Sequence, residues 1–87
     1  MTYVMAQALL AYQDKRLSKW KNVRFIYQGW EYRANYEAGF APLLCLDRRK
    51  VGTRNFKYFK ALDVSSKTDI TIEWVQEEIQ KILDYIS

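Results

Sequence analysis

The spacing of apolar residues changes period twice along this chain, and that restricts the fold more than any other property of the sequence. From Tyr3 to Lys21, the residues Met5, Leu9, Tyr12, Arg16 with Leu17, and Trp20 recur at intervals of four and three. Alanines fill Ala6, Ala8 and Ala11, and no Gly or Pro interrupts, so the spacing predicts an amphipathic helix over about 3–21. At Val23 the period becomes two. Val23, Phe25 and Tyr27 alternate with Arg24, Ile26 and Gln28, and after Gly29 the residues Trp30, Tyr32, Ala34 and Tyr36 alternate with Glu31, Arg33, Asn35 and Glu37. Two aromatic-rich alternating runs around a glycine predict a β-hairpin with one wet face.

Gly39 and Pro42 bracket a loop, and Leu43 to Asp47 reads as a short buried strand. Arg48 to Thr53 reads as a charged turn. Residues 54–62 carry two patterns: Phe56, Tyr58, Lys60 and Leu62 share one face of a strand, whereas Phe56, Phe59 and Leu62 share one face of a helix. The flanking glycine turn favours a strand that pairs with 43–49. Val64 to Asp69 reads as a polar connector, and Asp69 and Thr71 are candidate N-caps. A final helix is expected from about Ile72 to Ile86. Val75, Ile79, Ile82, Leu83 and Ile86 form its apolar stripe, Glu73, Glu77 and Glu78 lie toward its N-terminus, and Glu77 and Lys81 stand at i,i+4. The expectation is an α+β fold: an N-terminal helix, a three- or four-stranded antiparallel sheet and a C-terminal helix. Both helices pack on one sheet face, and residues 1–87 make one small domain.

The composition excludes several chemistries. The 87 residues contain no histidine and one cysteine, so imidazole acid–base catalysis, imidazole metal ligation and an internal disulfide are ruled out. No glycine-rich phosphate loop is present, since Gly29, Gly39 and Gly52 are isolated, and Glu31, Glu37 and Asp47 have no spacing that pairs them for acid–base work. No enzymatic activity, cofactor or metal is expected. Cys45 lies in the run Leu43-Leu44-Cys45-Leu46 and reads as a small buried hydrophobe. No apolar run is long enough to span a bilayer, and the first residues lack a basic leader and a cleavage pattern. With so little cysteine, these features make a cytoplasmic location the expectation.

Charge divides the chain. Residues 1–61 hold twelve Lys/Arg and four Asp/Glu, a balance of +8, whereas residues 62–87 hold two and six, a balance of −4. A basic body suits a polyanionic partner. The densest stretch runs from Arg48 to Lys60. There Arg48, Arg49, Lys50, Arg54, Lys57 and Lys60 interleave with Phe56, Tyr58 and Phe59. Cations neutralise phosphates, and aromatic rings stack unpaired bases. A basic hairpin tip is also suited to a duplex groove. Lys15, Arg16, Lys19, Lys21 and Arg24 form a second cluster, of which Lys19 and Lys21 are candidate flanking contacts. The competing explanation is structural: aromatics on strands face the core, and arginines at turns blunt an edge or end a helix.

The helix–strands–helix order resembles a double-stranded RNA-binding domain in topology alone. Those domains carry lysines at the start of the final helix, where this chain has Asp69 and Glu73. A three-stranded sheet followed by a helix likewise resembles, in topology alone, the arm-binding domains of tyrosine integrases. Arg54-Asn55-Phe56-Lys57-Tyr58 departs from the ribonucleoprotein motif, which requires glycine after the basic residue. None of these resemblances transfers a residue.

Two functions follow as expectations. The first is a non-enzymatic protein that binds DNA or RNA through Arg48, Arg49, Lys50, Arg54, Lys57, Tyr58 and Lys60, flanked by Lys19 and Lys21. The second is an inhibitor or adaptor, of the kind phages and mobile elements encode against host defence, with a protein partner that itself handles nucleic acid. Aromatic residues make up 16% of the chain, and Tyr, Trp and Arg are enriched at interface hot spots. Trp30 and Tyr36 are the aromatics expected to stay exposed. A homodimer through a strand edge or the first helix is compatible with either function.

Overall fold

The period-two runs fold as strands and the C-terminal period-3.6 run as a helix. The computed structural model describes residues 19–37, 41–67 and 69–86. Within them lie β1 (Val23–Tyr27), β2 (Trp30–Glu37), β3 (Leu43–Lys50), β4 (Lys57–Asp63) and α1 (Ile72–Ile86). The strands form one antiparallel sheet in the order β1-β2-β3-β4. Residues 1–18, which hold nearly all of the expected first helix, are outside the described residues. Trp20 and Lys21, expected to close that helix, are not helical, and the next residue, Asn22, has a φ of 54°. Instead Tyr36 N donates to Trp20 O at 2.7 Å and Asn22 N donates to Asn35 Oδ1 at 2.8 Å, which ties this segment to the far end of β2.

Tyr27 pairs with Trp30 across a two-residue turn. Gln28 and Gly29 have φ values of 53° and 79°, the double positive φ of a type I′ turn, whose twist matches that of the flanking strands. The turn fixes the hairpin register, so Val23, Phe25, Tyr27, Trp30, Tyr32, Ala34 and Tyr36 share one face. Across β3 the same face receives Leu44, Leu46, Arg48 and Lys50.

The core lies on this face. Tyr32, Ala34, Leu44, Leu46 and Leu62 are buried against Val75 and Ile79 of α1, with Trp20, Val64 and Ile70 completing the cluster. Burying one such aliphatic side chain stabilises the fold by roughly 1.5–3 kcal/mol. The segment read as a polar connector, Val64 to Asp69, contributes Val64 to the core, Ile70 follows directly after it, and Val64 N donates to Pro42 O at 3.2 Å. Thr71 is the N-cap: its hydroxyl accepts from Trp74 N at 3.1 Å. Asp69 instead meets Lys19 at 3.3 Å. On α1, Lys81 pairs with Glu78 at 3.1 Å rather than with Glu77. Ile86, expected in the apolar stripe, is exposed. Among the described residues no helix is long and apolar enough to cross a membrane.

Residues 57–63 form a strand paired with β3, and a β-bulge changes their phase. Lys60 opposes Leu46 and Tyr58 opposes Asp47, so Phe59 is the extra residue. The single-face alignment expected for Phe56, Tyr58, Lys60 and Leu62 is therefore broken. Phe59 turns onto the Tyr32 ring, edge to face at 5.5 Å, while Tyr58 stays exposed beside Asp47.

Candidate nucleic-acid interface

β3 runs through Lys50, three residues beyond the expected strand end, so Arg48, Arg49 and Lys50 are strand residues rather than a turn. Alternation then sends neighbouring cations to opposite faces. Arg48 points to the core face. Its guanidinium lies 4.1 Å from the Trp30 ring centroid and 4.3 Å from that of Phe59. Held between two rings, it is stabilised by its charge against their π faces, each contact worth roughly 0.5–2 kcal/mol.

Arg49 points to the opposite, open face. Its Nε donates to Glu31 Oε1 at 2.7 Å and its Nη1 to the Arg54 carbonyl at 2.8 Å. Arg33, on the same face, pairs with Asp47 at 3.0 Å. Phe56 lies beneath three guanidinium groups: Arg49 at 4.3 Å, Arg33 at 4.4 Å and Arg24 at 5.4 Å. Much of the arginine content thus organises the sheet and the loop that follows it. It explains why Phe56 needs no place in the core.

The loop 51–56 turns through Gly52, whose φ of 94° suits glycine. Thr53 closes the turn, donating from N to Lys50 O at 3.0 Å and from its hydroxyl to the same oxygen at 2.7 Å. Where β3 and β4 stop pairing, the loop and the two strand ends enclose a concavity of about 530 Å³. Six of the sequence-derived candidates line it: Arg48, Arg49, Lys50, Arg54, Lys57 and Tyr58. The other three stand apart. Lys60 is exposed on β4 beyond the bulge, and Lys19 is paired with Asp69. Lys21 borders a second hollow with Asn35, Glu37, Cys45 and Asp47, and Tyr58 lies on the rim of both.

Trp30, Thr53, Asn55 and Phe59 also line the basic concavity. Trp30, expected to be exposed, is half-buried because Arg48 and Lys50 lie over it; Tyr36 is half-buried as well. The signal for Trp30 was the two-residue turn, which sets it at the start of β2, but its pairing with Lys50 depends on the β2–β3 register. Cys45 is half-buried on the open face. Burial pushes its thiol pKa up from the usual value, and the nearby Glu37 and Asp47 carboxylates push it further. Among the described residues no group of three or more His, Cys, Asp or Glu side chains is placed to hold a metal ion.

Comparison with protein-family models, with curated proteins and with solved structures returned no match.

Proposed function

We propose that the chain is a non-enzymatic nucleic-acid-binding protein whose contact site is the basic, aromatic-lined concavity at the β3–β4 end. One observation carries the reading: Arg48, Arg49, Lys50, Arg54 and Lys57 converge on a single hollow that also exposes aromatic rings. Like-charged side chains repel, and a polyanion relieves that repulsion while releasing its own counterions. Lys50, Arg54 and Lys57 are exposed and are the phosphate contacts in this reading. Arg48 and Arg49 contribute field and shape, because their guanidinium groups are held by Trp30, Phe59 and Glu31.

The test is fluorescence anisotropy of labelled single-stranded DNA, duplex DNA and duplex RNA with the full chain, from low to physiological salt. Binding that weakens steeply as salt rises is expected. The double variant Arg54→Glu/Lys57→Glu should weaken it for every sequence alike. Absence of binding to all three ligands at the lowest salt overturns the reading.

A second reading, an inhibitor or adaptor with a protein partner, is favoured by the last turn of α1. Tyr85 is 90% exposed and Ile86 63% exposed at the end of an acidic helix. Exposed aromatic and aliphatic side chains of this kind are typical interface anchors. A stoichiometric, nuclease-resistant partner that is lost on Tyr85→Ala would support it.

A further inference from the structure

We propose that the concavity takes an unpaired base of a single strand, with Tyr58 as the stacking ring and Lys50, Arg54 and Lys57 holding the flanking phosphates. This rests on the nucleic-acid reading above and names the form of nucleic acid. The rival form of docking, a basic hairpin tip entering a duplex groove, is disfavoured at the tip itself, because the fork and the amide of the loop, Arg54 and Asn55, line the concavity. Val51 and Gly52 carry no polar side chain, and the Thr53 hydroxyl is engaged by the Lys50 carbonyl at 2.7 Å. Reading a base pair in the major groove needs fork-shaped donors or amides at the leading edge. The two arginines behind this tip are already committed, Arg48 between two rings and Arg49 to Glu31 and the Arg54 carbonyl.

The concavity has the opposite character. Its volume of about 530 Å³ falls within the range of small-ligand sites and suits a base with its sugar. Trp30 and Phe59 are fixed in its wall by Arg48. Tyr58 stands on its rim at 69% exposure, so one face of the ring is open to solvent. Rings of this kind bind single strands by stacking, with cations tracking the backbone. On the far side of Tyr58, Glu37 and Asp47 border the second hollow. Asp47 is paired with Arg33 and Glu37 is offset by Lys21, so this hollow has no net positive charge to draw phosphate away from the Arg54–Lys57 side.

The experiment compares three labelled probes of equal length by anisotropy: a single strand, its duplex, and a single strand whose backbone lacks bases. Each is titrated with the full chain and with Tyr58→Ala and Tyr58→Phe. The single strand should bind roughly tenfold tighter than the base-free strand, and Tyr58→Ala should remove most of that difference while Tyr58→Phe keeps it. Three phosphate contacts predict a slope of about −2 for log affinity against log salt. Equal binding of the single strand and the base-free strand, duplex binding as tight as single-strand binding, or a preference unchanged in Tyr58→Ala overturns the inference while leaving a polyanion site intact. Failure of all three probes to bind at low salt overturns both.

Discussion

Glu31 and Arg49 stand directly opposite each other in the β2–β3 register, and Arg49 Nε donates to Glu31 Oε1 at 2.7 Å. The pair holds one wall of the basic concavity and also places a negative charge behind it. Cross-strand ion pairs of this kind contribute roughly 0.2–1 kcal/mol. Glu31→Gln is therefore expected to lower the urea midpoint slightly. At the same time it removes a repulsive charge, so nucleic-acid affinity at low salt should rise about two- to threefold and return to the parent value as salt screens the field. Anisotropy titrations at two salt concentrations check this; a fall in affinity would instead show that Glu31 is needed to aim Arg49.

Phe56 gathers Arg24, Arg33 and Arg49 on one ring. Cation–π contacts at partly exposed sites are worth roughly 0.5–1 kcal/mol each and do not simply add. Phe56→Ala should cost about 2 kcal/mol in urea denaturation. Phe56→Leu, which keeps apolar bulk but no π face, should recover about half. If leucine matches phenylalanine, the ring serves only as apolar filling.

The Gln28-Gly29 turn holds a non-glycine residue at a φ of 53°. Asparagine tolerates that conformation better, so Gln28→Asn is expected to stabilise the chain by a few tenths of a kcal/mol. Gly29→Ala meets no steric obstacle, since nothing lies within 4 Å of an added Cβ. Its expected cost of about 1 kcal/mol comes from the backbone alone, at a φ of 79°. Thermal unfolding of the two variants should shift in opposite directions.

Cys45 gives a pH-dependent prediction. Its pKa is raised, chiefly by burial and then by Glu37, so the folded chain binds the thiol proton more tightly than the unfolded chain. The associated stability is complete below the unfolded thiol pKa and is lost as pH rises through the folded value. Alkylation at about pH 8.5 should accordingly be slower in the folded chain than in urea, since the thiolate is the nucleophile. Glu37→Gln should bring the folded rate closer to the unfolded one, and an unchanged rate would leave burial and Asp47 as the causes.

The first two strands and the last helix were legible because their periods were clear: alternation from Val23, and the Val75–Ile79 stripe with Thr71 ahead of it; the segment that forms β4 carried both a strand and a helix pattern, and the glycine turn before it decided for a strand. The β1–β2 hairpin was legible from the two alternating runs around Gly29, whereas Gln28, a poor residue for a positive φ, gave little sign of the turn. Val64 and Ile70 were missed because isolated aliphatics between polar residues have no periodicity to betray them. The site was legible as composition and not as geometry. The run Arg48-Arg49-Lys50 looks like one cluster, yet strand alternation sends Arg48 to Trp30 and Arg49 to Glu31. Lys60 was grouped with Lys57 because nothing local in the sequence marks Phe59 as an extra residue.

That extra residue has a consequence for how the chain can vary. β4 is in effect two half-strands of opposite phase spliced at Phe59. On one side of the splice, Leu62 answers to the requirements of packing; on the other, Lys57 and Tyr58 answer to the concavity. Either half can drift in sequence without forcing the other to turn over. A one-residue deletion at the splice would lock them into a common frame and exchange an inward ring for an outward one.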